Sequence, residues 1–492
     1  MTGPILAGIE TEYGIFLEGR GAEDQVDDAM ALVRNYPGEC FIGWDYRYES
    51  PRADLRGFKL ERLTADPVDA KFDRGRVHGK DQEVRSDRVL PNGARFYNDH
   101  GHPEYSTPEC LSLDELALHD LAGEAVVLRA ARAHSAASGH SIRIYKNNTD
   151  FHGASYGTHE SYLTPRHLGF DKLYAALLPM FVVRPVLAGA GKAGSESGPQ
   201  CDYQLSQRAD FFSETANAET LFRRPIFNTR DEPHADPRDW IRLHVICGDA
   251  NMIPRCTARK AGLVKLALKL CAQGTAPAWR IANPVAALQS ISRDQQHEFA
   301  VQLEGRNWTN AREIFESYFS AAEATLELDE DDRWTIQNSR EVLDAIGKDP
   351  PTVQSQVDWA AKRAMLEHFM EEEGLDWDHP SLQAFDLEYH NVDPEEGLHA
   401  ALQEMGVIEA DPPDSEILPR IAEVFEPTRA VARGAAVARF REYLRAVSWS
   451  SLTFEVDGNR VELELRPDAS YPSELREIGD VGTFIKLIKE RM

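Results

Sequence analysis

The chain has 492 residues and a formal net charge of −27, with 42% hydrophobic and 9% aromatic residues. This length exceeds what one small core needs, and it predicts either a large domain together with a small one or two to three domains. The strong negative charge disfavours nucleic acid or an anionic membrane as a partner. There is no apolar run of about 18 residues, so no membrane span is expected.

The six cysteines are scattered along the chain, and none forms a CxxC pair. This spacing argues against a structural zinc site and against a disulfide framework. The N-terminal segment has neither a basic region nor a long apolar stretch, so it does not resemble a signal peptide. Together these features predict a protein of the cytoplasm with reduced thiols.

Strand and helix patterns alternate along the first 325 residues. The periodicity predicts strands at 5–16, 93–99, 141–147, 159–163 and 242–247. It predicts helices at 25–35, 113–137, 258–272 and 310–325. Residues 51–90 are rich in charge and show no period, which is typical of a long mobile loop.

The C-terminal part of the chain has a different character. Residues 326–420 are acidic and mostly helical in pattern. Beyond Pro419 the sequence predicts a helix at 428–446, a hairpin with arms at 451–456 and 460–465, and a last helix at 473–490. We therefore predict a large catalytic domain over 1–425, which contains the loop at 51–90, and a small domain over 426–492.

The first predicted strand carries two acids, Glu10 and Glu12. Side chains alternate along a strand, so both carboxylates point to the same face, roughly 7 Å apart. Such a pair on a central strand suits a hard cation such as Mg²⁺. Two acids exposed on an edge strand would give the same pattern.

A second cluster of polar residues lies in NGARFYNDHGHPEYSTPEC. Arg95, Tyr97 and Asp99 share one strand face, and Glu104 follows a turn that we expect at Pro103. This stretch offers a guanidinium for phosphate, oxygen ligands for a metal, and a carboxylate that can act as base or nucleophile. The alternative is a surface salt-bridge cluster at the end of a strand.

Basic and imidazole side chains recur later in the chain. Arg242 and His244 share one face of a strand, and His159 and Glu160 point to opposite faces of another. Arg208 and Arg230 lie in segments that we expect to be otherwise uncharged strands, and guanidiniums suit a triphosphate. The sequence has no P-loop, dinucleotide fingerprint or nucleophile elbow. ATP would then bind on an open sheet through metal ions and arginines, as in the glutamine-synthetase-like carboxylate–amine ligases.

Several motifs in order along nearly the whole chain resemble the family of Pup ligases and Pup deamidases/depupylases. They are GIETEYGI, NGARFYNDHGHPEYSTPEC, YKNNTDFHGASYGTHESYL, QLSQRADF, NTRDEPHAD, RLHVICGDANM and TRAVARG. WDYRYESP, the loop that continues to about residue 90, Asp99-His100 and Pro108 resemble the deamidase/depupylase, whose sister ligase lacks this insertion. The opening GIETEYG is closer to the ligase.

The resemblance implies an α+β fold: a large glutamine-synthetase-like domain with a curved, mostly antiparallel sheet, helices behind it, and a small C-terminal α/β domain. It also implies ATP or ADP and Mg²⁺ as cofactors. The implied magnesium ligands are Glu10, Tyr97 and Glu104, with Glu12, His159 and His244 close to the metals or phosphates. The implied nucleotide ligands are Arg95, Thr107, Arg208, Arg230, Arg242 and Trp449.

By the same resemblance, Asp99 is the catalytic carboxylate. It would act as nucleophile or general base on the C-terminal glutamine of the tag Pup, or on the isopeptide bond that joins Pup to a lysine of a pupylated protein. The principal alternative is a Pup–protein ligase that works through a γ-glutamyl phosphate. A nucleotide-bound regulator without catalysis and a small-molecule carboxylate–amine ligase are further alternatives.

Overall fold

The computed structural model describes residues 5–48, 52–61, 85–220 and 223–491. The strands are β1 (Ala7–Glu12), β2 (Gly14–Leu17), β3 (Arg88–Val89), β4 (Arg95–Asp99), β5 (His102–Ser106), β6 (Ile142–Tyr145), β7 (Thr158–Pro165), β8 (Lys192–Ala193), β9 (Tyr203–Gln204), β10 (Glu214–Asn217), β11 (Pro225–Asn228), β12 (Trp240–Gly248), β13 (Ala300–Gln302), β14 (Trp308–Asn310), β15 (Leu444–Val447), β16 (Ser451–Val456) and β17 (Asn459–Glu464).

The helices are α1 (Gln25–Arg34), α2 (Leu113–Ser138), α3 (Gly169–Val183), α4 (Pro185–Ala188), α5 (Pro254–Gln273), α6 (Pro284–Ser292), α7 (Ala311–Thr325), α8 (Glu330–Ala345), α9 (Pro350–Gln356), α10 (Asp358–Glu373), α11 (Ser381–Tyr389), α12 (Leu398–Glu404), α13 (Asp414–Ile417), α14 (Arg429–Phe440) and α15 (Val481–Lys489). Among the residues that the structure describes, none of these helices combines the length and the apolar character that crossing a membrane requires.

A six-stranded antiparallel sheet forms the centre of the molecule, in the order β12-β7-β1-β5-β4-β3. Strand β1 lies in the middle, where Glu10 pairs with His159 of β7 and Glu12 pairs with Glu104 of β5. Because side chains alternate along a strand, this register places the polar residues of neighbouring strands side by side on one face.

The opposite face of the sheet is apolar and packs against helices. Ile9, Phe96, Tyr105, Tyr162 and Leu243 are buried in the main hydrophobic core, together with side chains of α2 and α5. Removing each such side chain from water contributes roughly 1.5–3 kcal/mol, and this burial fixes the register of the sheet. The predicted α+β class is therefore confirmed, as are the helices at 25–35, 113–137, 258–272 and 310–325.

A second hydrophobic core belongs mainly to the C-terminal part of the chain. It joins α14, α15 and the sheet β15-β16-β17, and it also includes Phe41, Trp44 and Val89. The domain division between residues 425 and 426 stays a prediction. The helix expected at 428–446 ends at Phe440, since Leu444–Val447 pairs with β16. The helix expected at 473–490 begins only at Val481, where Asp480 caps it through the Thr483 N–H.

The charged segment 51–90 is structured where it is described. Asp54 is buried and accepts a hydrogen bond from the Thr229 hydroxyl at 2.6 Å. Arg88–Val89 is a buried strand that pairs with β4. The expected loop is therefore too long at its C-terminal end, because pairing with β4 overrides the charged composition. Residue 51 and residues 62–84 of that loop lie outside the described residues.

Candidate active site

The face of the sheet opposite the main core collects most of the residues that the sequence singled out. Strand β1 supplies Glu10 and Glu12, and the neighbouring strands supply the others through the register described above. The residues on this face are Glu10, Glu12, Arg95, Tyr97, Asp99, Glu104, His159, Arg242 and His244. The predicted alternation of faces on β1, β4, β7 and β12 is thus confirmed.

Glu12, Asp99 and Glu104 form a carboxylate cluster in which one oxygen of each lies within 4.8 Å of the others. The Tyr97 hydroxyl donates to Glu104 Oε1 at 2.6 Å, and the Ser106 hydroxyl donates to the same oxygen at 3.2 Å. The Gly157 N–H donates to Glu12 Oε2 at 2.5 Å. Three carboxylates and a phenol so close together form the kind of oxygen-rich site that Mg²⁺ prefers.

The pKa values of the three acids in the carboxylate cluster differ with the charges that surround each of them. Burial, and then the charge of Asp99, raises the pKa of Glu12 to about 7. Burial and the surrounding carboxylates raise the pKa of Glu104 well above its usual range. Burial also acts to raise the pKa of Asp99, but His100 and Arg85 outweigh it and hold that pKa below its usual range. A divalent cation would stabilise the ionised forms of all three acids, so the donor set fits a magnesium ion.

A second group on the same face consists of Glu10, His159 and His244, again with ligand atoms within 4.8 Å of one another. His244 Nε2 lies 3.4 Å from Glu10 Oε2. Burial acts to raise the pKa of Glu10, but His244 and Arg242 outweigh it, and the net pKa is below its usual range. Burial lowers the pKa of His159 to about 3, so its imidazole is neutral and able to bind a metal. One carboxylate and imidazole nitrogens accept a divalent cation, although with less preference for Mg²⁺ than an all-oxygen set.

The predicted nucleotide arginines lie in different surroundings. Arg95 is buried between the rings of Trp44 and Tyr97, with its guanidinium carbon 4.1 and 3.8 Å from the ring centroids, and it pairs with Asp87 at 2.6 Å. Arg230 follows β11 and donates to the Ala218 carbonyl and the Thr220 hydroxyl. The expectation that Arg208 and Arg230 lie on strands is wrong, since both occupy connecting segments.

Arg208 is the predicted arginine with the greatest capacity for an anion. Its Nη1 donates to the Ile246 carbonyl at 2.9 Å, whereas its Nε is buried with no hydrogen-bond partner in the described part of the chain. Burial, and then the charge of Arg224, lowers the pKa of Arg208 to about 10, so it remains a cation at neutral pH. Its charge acts to lower the pKa of both Glu12 and His159, so Arg208 lies close enough to influence both groups of candidate ligands.

A pocket adjoins the group of Glu10, His159 and His244. Its lining includes Glu10, Arg242, Thr107 and Trp449. The Thr107 hydroxyl accepts from the Ile9 N–H at 3.0 Å. Gly8 also lines the pocket. The structure thus brings Thr107 and Trp449 together beside the sheet face, although they are 342 residues apart in sequence.

A buried clamp holds the far wall of this pocket. Glu109 accepts hydrogen bonds from Arg429 and Arg433 of α14, each at 2.6 Å. Burial acts to raise the pKa of Glu109, but the two guanidiniums outweigh it and lower the pKa to about 2. Arg433 also lies over the Trp449 ring, with its guanidinium carbon 4.7 Å from the centroid. The clamp therefore fixes the C-terminal core against the segment that follows β5.

Sequence reasoning missed several side chains that contact the predicted site, among them Ser106 and Asp87, described above, and three others. Arg85 Nη1 donates to Asp99 Oδ1 at 2.9 Å, and His100 Nδ1 lies 2.8 Å from Asp99 Oδ2. Glu232 Oε1 lies 3.1 Å from His244 Nδ1. The neighbouring position in the motif could have indicated His100, but Arg85 and Glu232 meet the site only through tertiary structure.

The turn between β4 and β5 also differs from expectation. We expected it at Pro103, but it is formed by His100 and Gly101, which have φ values of +49° and +93°. Pro103 lies inside β5, where its carbonyl accepts from the Tyr13 N–H. Glycine adopts positive φ at no steric cost, so Gly101 allows the chain to turn immediately after Asp99 and His100.

The acidic and imidazole groups on an open antiparallel sheet, together with the adjoining pocket, define an enzyme site. The chain belongs to the Pup-ligase protein family, whose model matches residues 5–453.

Three curated relatives match most of the chain. A depupylase from Acidothermus cellulolyticus is 38% identical over 92% of this chain and 91% of its own. A Pup deamidase/depupylase from Mycolicibacterium smegmatis is 37% identical over 92% of each. A Pup–protein ligase from Acidimicrobium ferrooxidans is 38% identical, but over 78% of this chain and 88% of its own. The similarity to the depupylases therefore extends over more of the chain.

Two solved structures share the fold. The complex between the prokaryotic ubiquitin-like protein Pup and its ligase PafA aligns with a TM-score of 0.78 and 28% identity, over 99% of this chain and 92% of the other. The Pup ligase PafA in complex with ADP aligns with a TM-score of 0.72 and 29% identity, over 88% of this chain and 96% of the other. The first alignment, over 99% of this chain, includes both the central sheet and the C-terminal core.

Proposed function

We propose that this protein is a nucleotide- and Mg²⁺-dependent hydrolase that removes the tag Pup from lysine side chains and deamidates a C-terminal glutamine of the tag. The observation that carries the proposal is Asp99, a half-buried carboxylate with a pKa below its usual range, held within a cluster of acids that suits Mg²⁺. Similarity to depupylases over 92% of the chain supports the hydrolase over the ligase.

Asp99 acts on the carbonyl carbon of the tag's last side chain. In one route it takes a proton from water, whose oxygen attacks that carbon. In the other it attacks the carbon itself, and water then opens the resulting anhydride. In both routes the C–N bond breaks, and the nitrogen leaves as ammonia or as the substrate lysine after it gains a proton.

The remaining residues bind and orient. Glu12, Glu104 and Tyr97 would hold one Mg²⁺, and Glu10, His159 and His244 would face a second metal or the phosphates. Bound Mg²⁺ supplies positive charge that stabilises the oxyanion of the transition state. Arg208, with support from Arg230 and Arg242, would hold phosphate oxygens, while Thr107 and Trp449 would line the site of the base. Arg95, which lies between the rings of Trp44 and Tyr97, would contact the nucleotide.

A second candidate function is Pup ligation through a γ-glutamyl phosphate. The ligase relative and the two ligase structures favour it, because the same sheet face could hold ATP and the tag's terminal carboxylate. Asp99 would then take a proton from the incoming lysine. The partners would be the same in both cases, namely Pup and pupylated proteins. The protein would act in the cytoplasm, where its thiols are expected to stay reduced.

The test is to mix the purified protein with ATP, Mg²⁺ and a Pup-tagged model protein, and to follow the tag by gel and mass spectrometry. We expect loss of the tag without stoichiometric formation of ADP. A conjugate that stays intact, together with ADP formation and new conjugates from free tag and a lysine-bearing acceptor, would establish the ligase instead.

A further inference from the structure

Both oxygens of the Asp99 carboxylate have a partner from outside the carboxylate cluster. Arg85 Nη1 donates to Oδ1 at 2.9 Å, and His100 Nδ1 lies 2.8 Å from Oδ2. Arg85 is half-buried, with 30% of its side chain exposed, while only 17% of the Asp99 side chain is exposed. The contact therefore lies at the mouth of the site rather than on the open surface.

The backbone that carries Arg85 is firmly held. Ser86 and Asp87, which follow it, are buried, and the Ser86 hydroxyl accepts from Arg34 Nε at 3.0 Å. Ser86 has a φ of +55°, a strained value for a serine. Such strain persists only where the surrounding structure holds it, and it clusters at functional sites. Strand β3 then pairs directly with β4, the strand of Asp99.

The surroundings of Asp99 explain what a guanidinium does there. Glu12 and Glu104 lie within 4.8 Å of its oxygens, so the nearest acidic groups repel its charge. Arg85 offsets this repulsion and fixes the plane of the carboxylate through one oxygen. A charge-assisted hydrogen bond of this kind gives both energy and orientation.

We propose that Arg85 is a positioning residue for the catalytic step: it holds Asp99 in the orientation that attacks the substrate carbonyl or activates water. This inference rests on the proposed function. It gives the C-terminal end of the charged segment 51–90 a defined role at the reacting carboxylate. Arg85 precedes Asp99 by 14 residues in the sequence.

The test compares Arg85→Gln, Arg85→Lys and Arg85→Ala with the wild type in conjugate cleavage. We expect Arg85→Gln to lower kcat by about 10- to 100-fold while KM changes less than about threefold, since a charge-assisted hydrogen bond is lost but substrate contacts remain. Arg85→Lys should recover part of kcat, and guanidinium ions at millimolar concentration should partly rescue Arg85→Ala.

Arg56→Gln is the matched control. Arg56 belongs to the same segment, has a similar exposure of 36%, and pairs with Asp54 rather than with Asp99. We expect it to leave kcat unchanged. Arg85 variants with wild-type or higher kcat, a loss of kcat as large in Arg56→Gln, or an effect confined to KM would each overturn the proposal.

A second measurement does not depend on activity. Labelling of carboxyl groups with a carbodiimide and an amine, located by mass spectrometry, should modify Asp99 several-fold more in Arg85→Ala than in the wild type. If the wild type cleaves no conjugate, the proposed function fails, and the variants are then compared in ligation. Unchanged labelling of Asp99 would overturn the Arg85 contact whatever the reaction.

Discussion

Buried acids lie on both sides of the central sheet, but their hydrogen-bond partners differ. Behind the sheet, Glu160 accepts from Arg184 at 2.9 Å and Asp120 accepts from Lys146 at 2.7 Å. On the front, Asp99 and Glu10 accept from Arg85 and Arg242. Glu12, in contrast, accepts from a backbone N–H, and Glu104 accepts from hydroxyl groups, all of them neutral donors.

This difference separates acids that hold the fold together from acids that wait for a ligand. A buried carboxylate paired with a base is complete within the protein, whereas buried carboxylates that face one another need a cation from outside. The raised pKa values of Glu12 and Glu104 express this need. The comparison therefore singles out Glu12 and Glu104, on the front of the sheet, as the carboxylates that a bound cation would stabilise most.

The largest effect should come from Asp99→Asn. The amide keeps the shape of the side chain but can neither attack a carbonyl nor take a proton from water. We expect cleavage of the conjugate to fall by at least about 1,000-fold, with nucleotide affinity almost unchanged. Nucleotide binding is measured by calorimetry on the same preparation. Substantial turnover by this variant would remove Asp99 from the catalytic role.

Behind the sheet, Arg184→Met should chiefly affect stability. It leaves Glu160 buried without its base, and breaking a buried pair in this way costs about 3–5 kcal/mol of the free energy of unfolding. Urea denaturation checks this value. The double variant Glu160→Gln, Arg184→Met serves as the control and should regain much of the loss. A loss below about 1 kcal/mol would show that the pair is not the structural ion pair described here.

On the front of the sheet, Glu12→Gln should raise the free energy of unfolding rather than lower it. Burial, and then the charge of Asp99, raises the pKa of Glu12 from its ordinary value of 4.5 to about 7 in the folded protein. Without metal, the unfolded chain therefore loses this proton before the folded protein does, and the fold becomes less stable as the pH rises from about 4.5 to 7. The variant should therefore gain on the wild type by about 1–3 kcal/mol over this range. Unfolding experiments with a chelator measure the gain, and Mg²⁺ should reduce it by stabilising the wild type. A gain independent of pH would contradict the interpretation.

The smallest effect concerns the pocket. Trp449→Ala should weaken nucleotide binding about tenfold, because it removes an aromatic wall that packs on Trp44 with ring centroids 5.2 Å apart. Trp308→Ala is the matched control, since Trp308 is 65% exposed on β14 and does not line the pocket. Equal losses of affinity in the two variants would place the nucleotide elsewhere.

Alternation along the strands predicted much of this site. It placed Glu10 with Glu12, Arg95 with Tyr97 and Asp99, and Arg242 with His244, because the side-chain period of two is a local property of the backbone. It could not predict that Glu10 and Glu12 belong to different groups of ligands. That division comes from the neighbours β7 and β5, which pair with β1 at long sequence separation.

Residues on connecting segments were beyond such reasoning. Arg230 and Arg208 carry the right chemistry, but no period describes the segments in which they lie. Arg85 and Glu232 reach the site only because whole elements pack against each other. The charged composition of 51–90 also predicted a loop that extends too far. Arg88–Val89 forms a strand because it pairs with β4, which the composition of the segment does not indicate.

The Glu109 clamp has a consequence for how the molecule opens. Glu109 follows β5, and its two arginine partners lie on α14, so separating the two cores would expose two buried guanidiniums and break their ion pairs with Glu109. The two cores should therefore open together rather than separately. Amide hydrogen exchange in α14 should then be as slow as in β5. A nucleotide that stacks against Trp449 would then slow amide exchange in α14 and in β5 together. Binding in the pocket would thus stabilise the two cores as one cooperative unit.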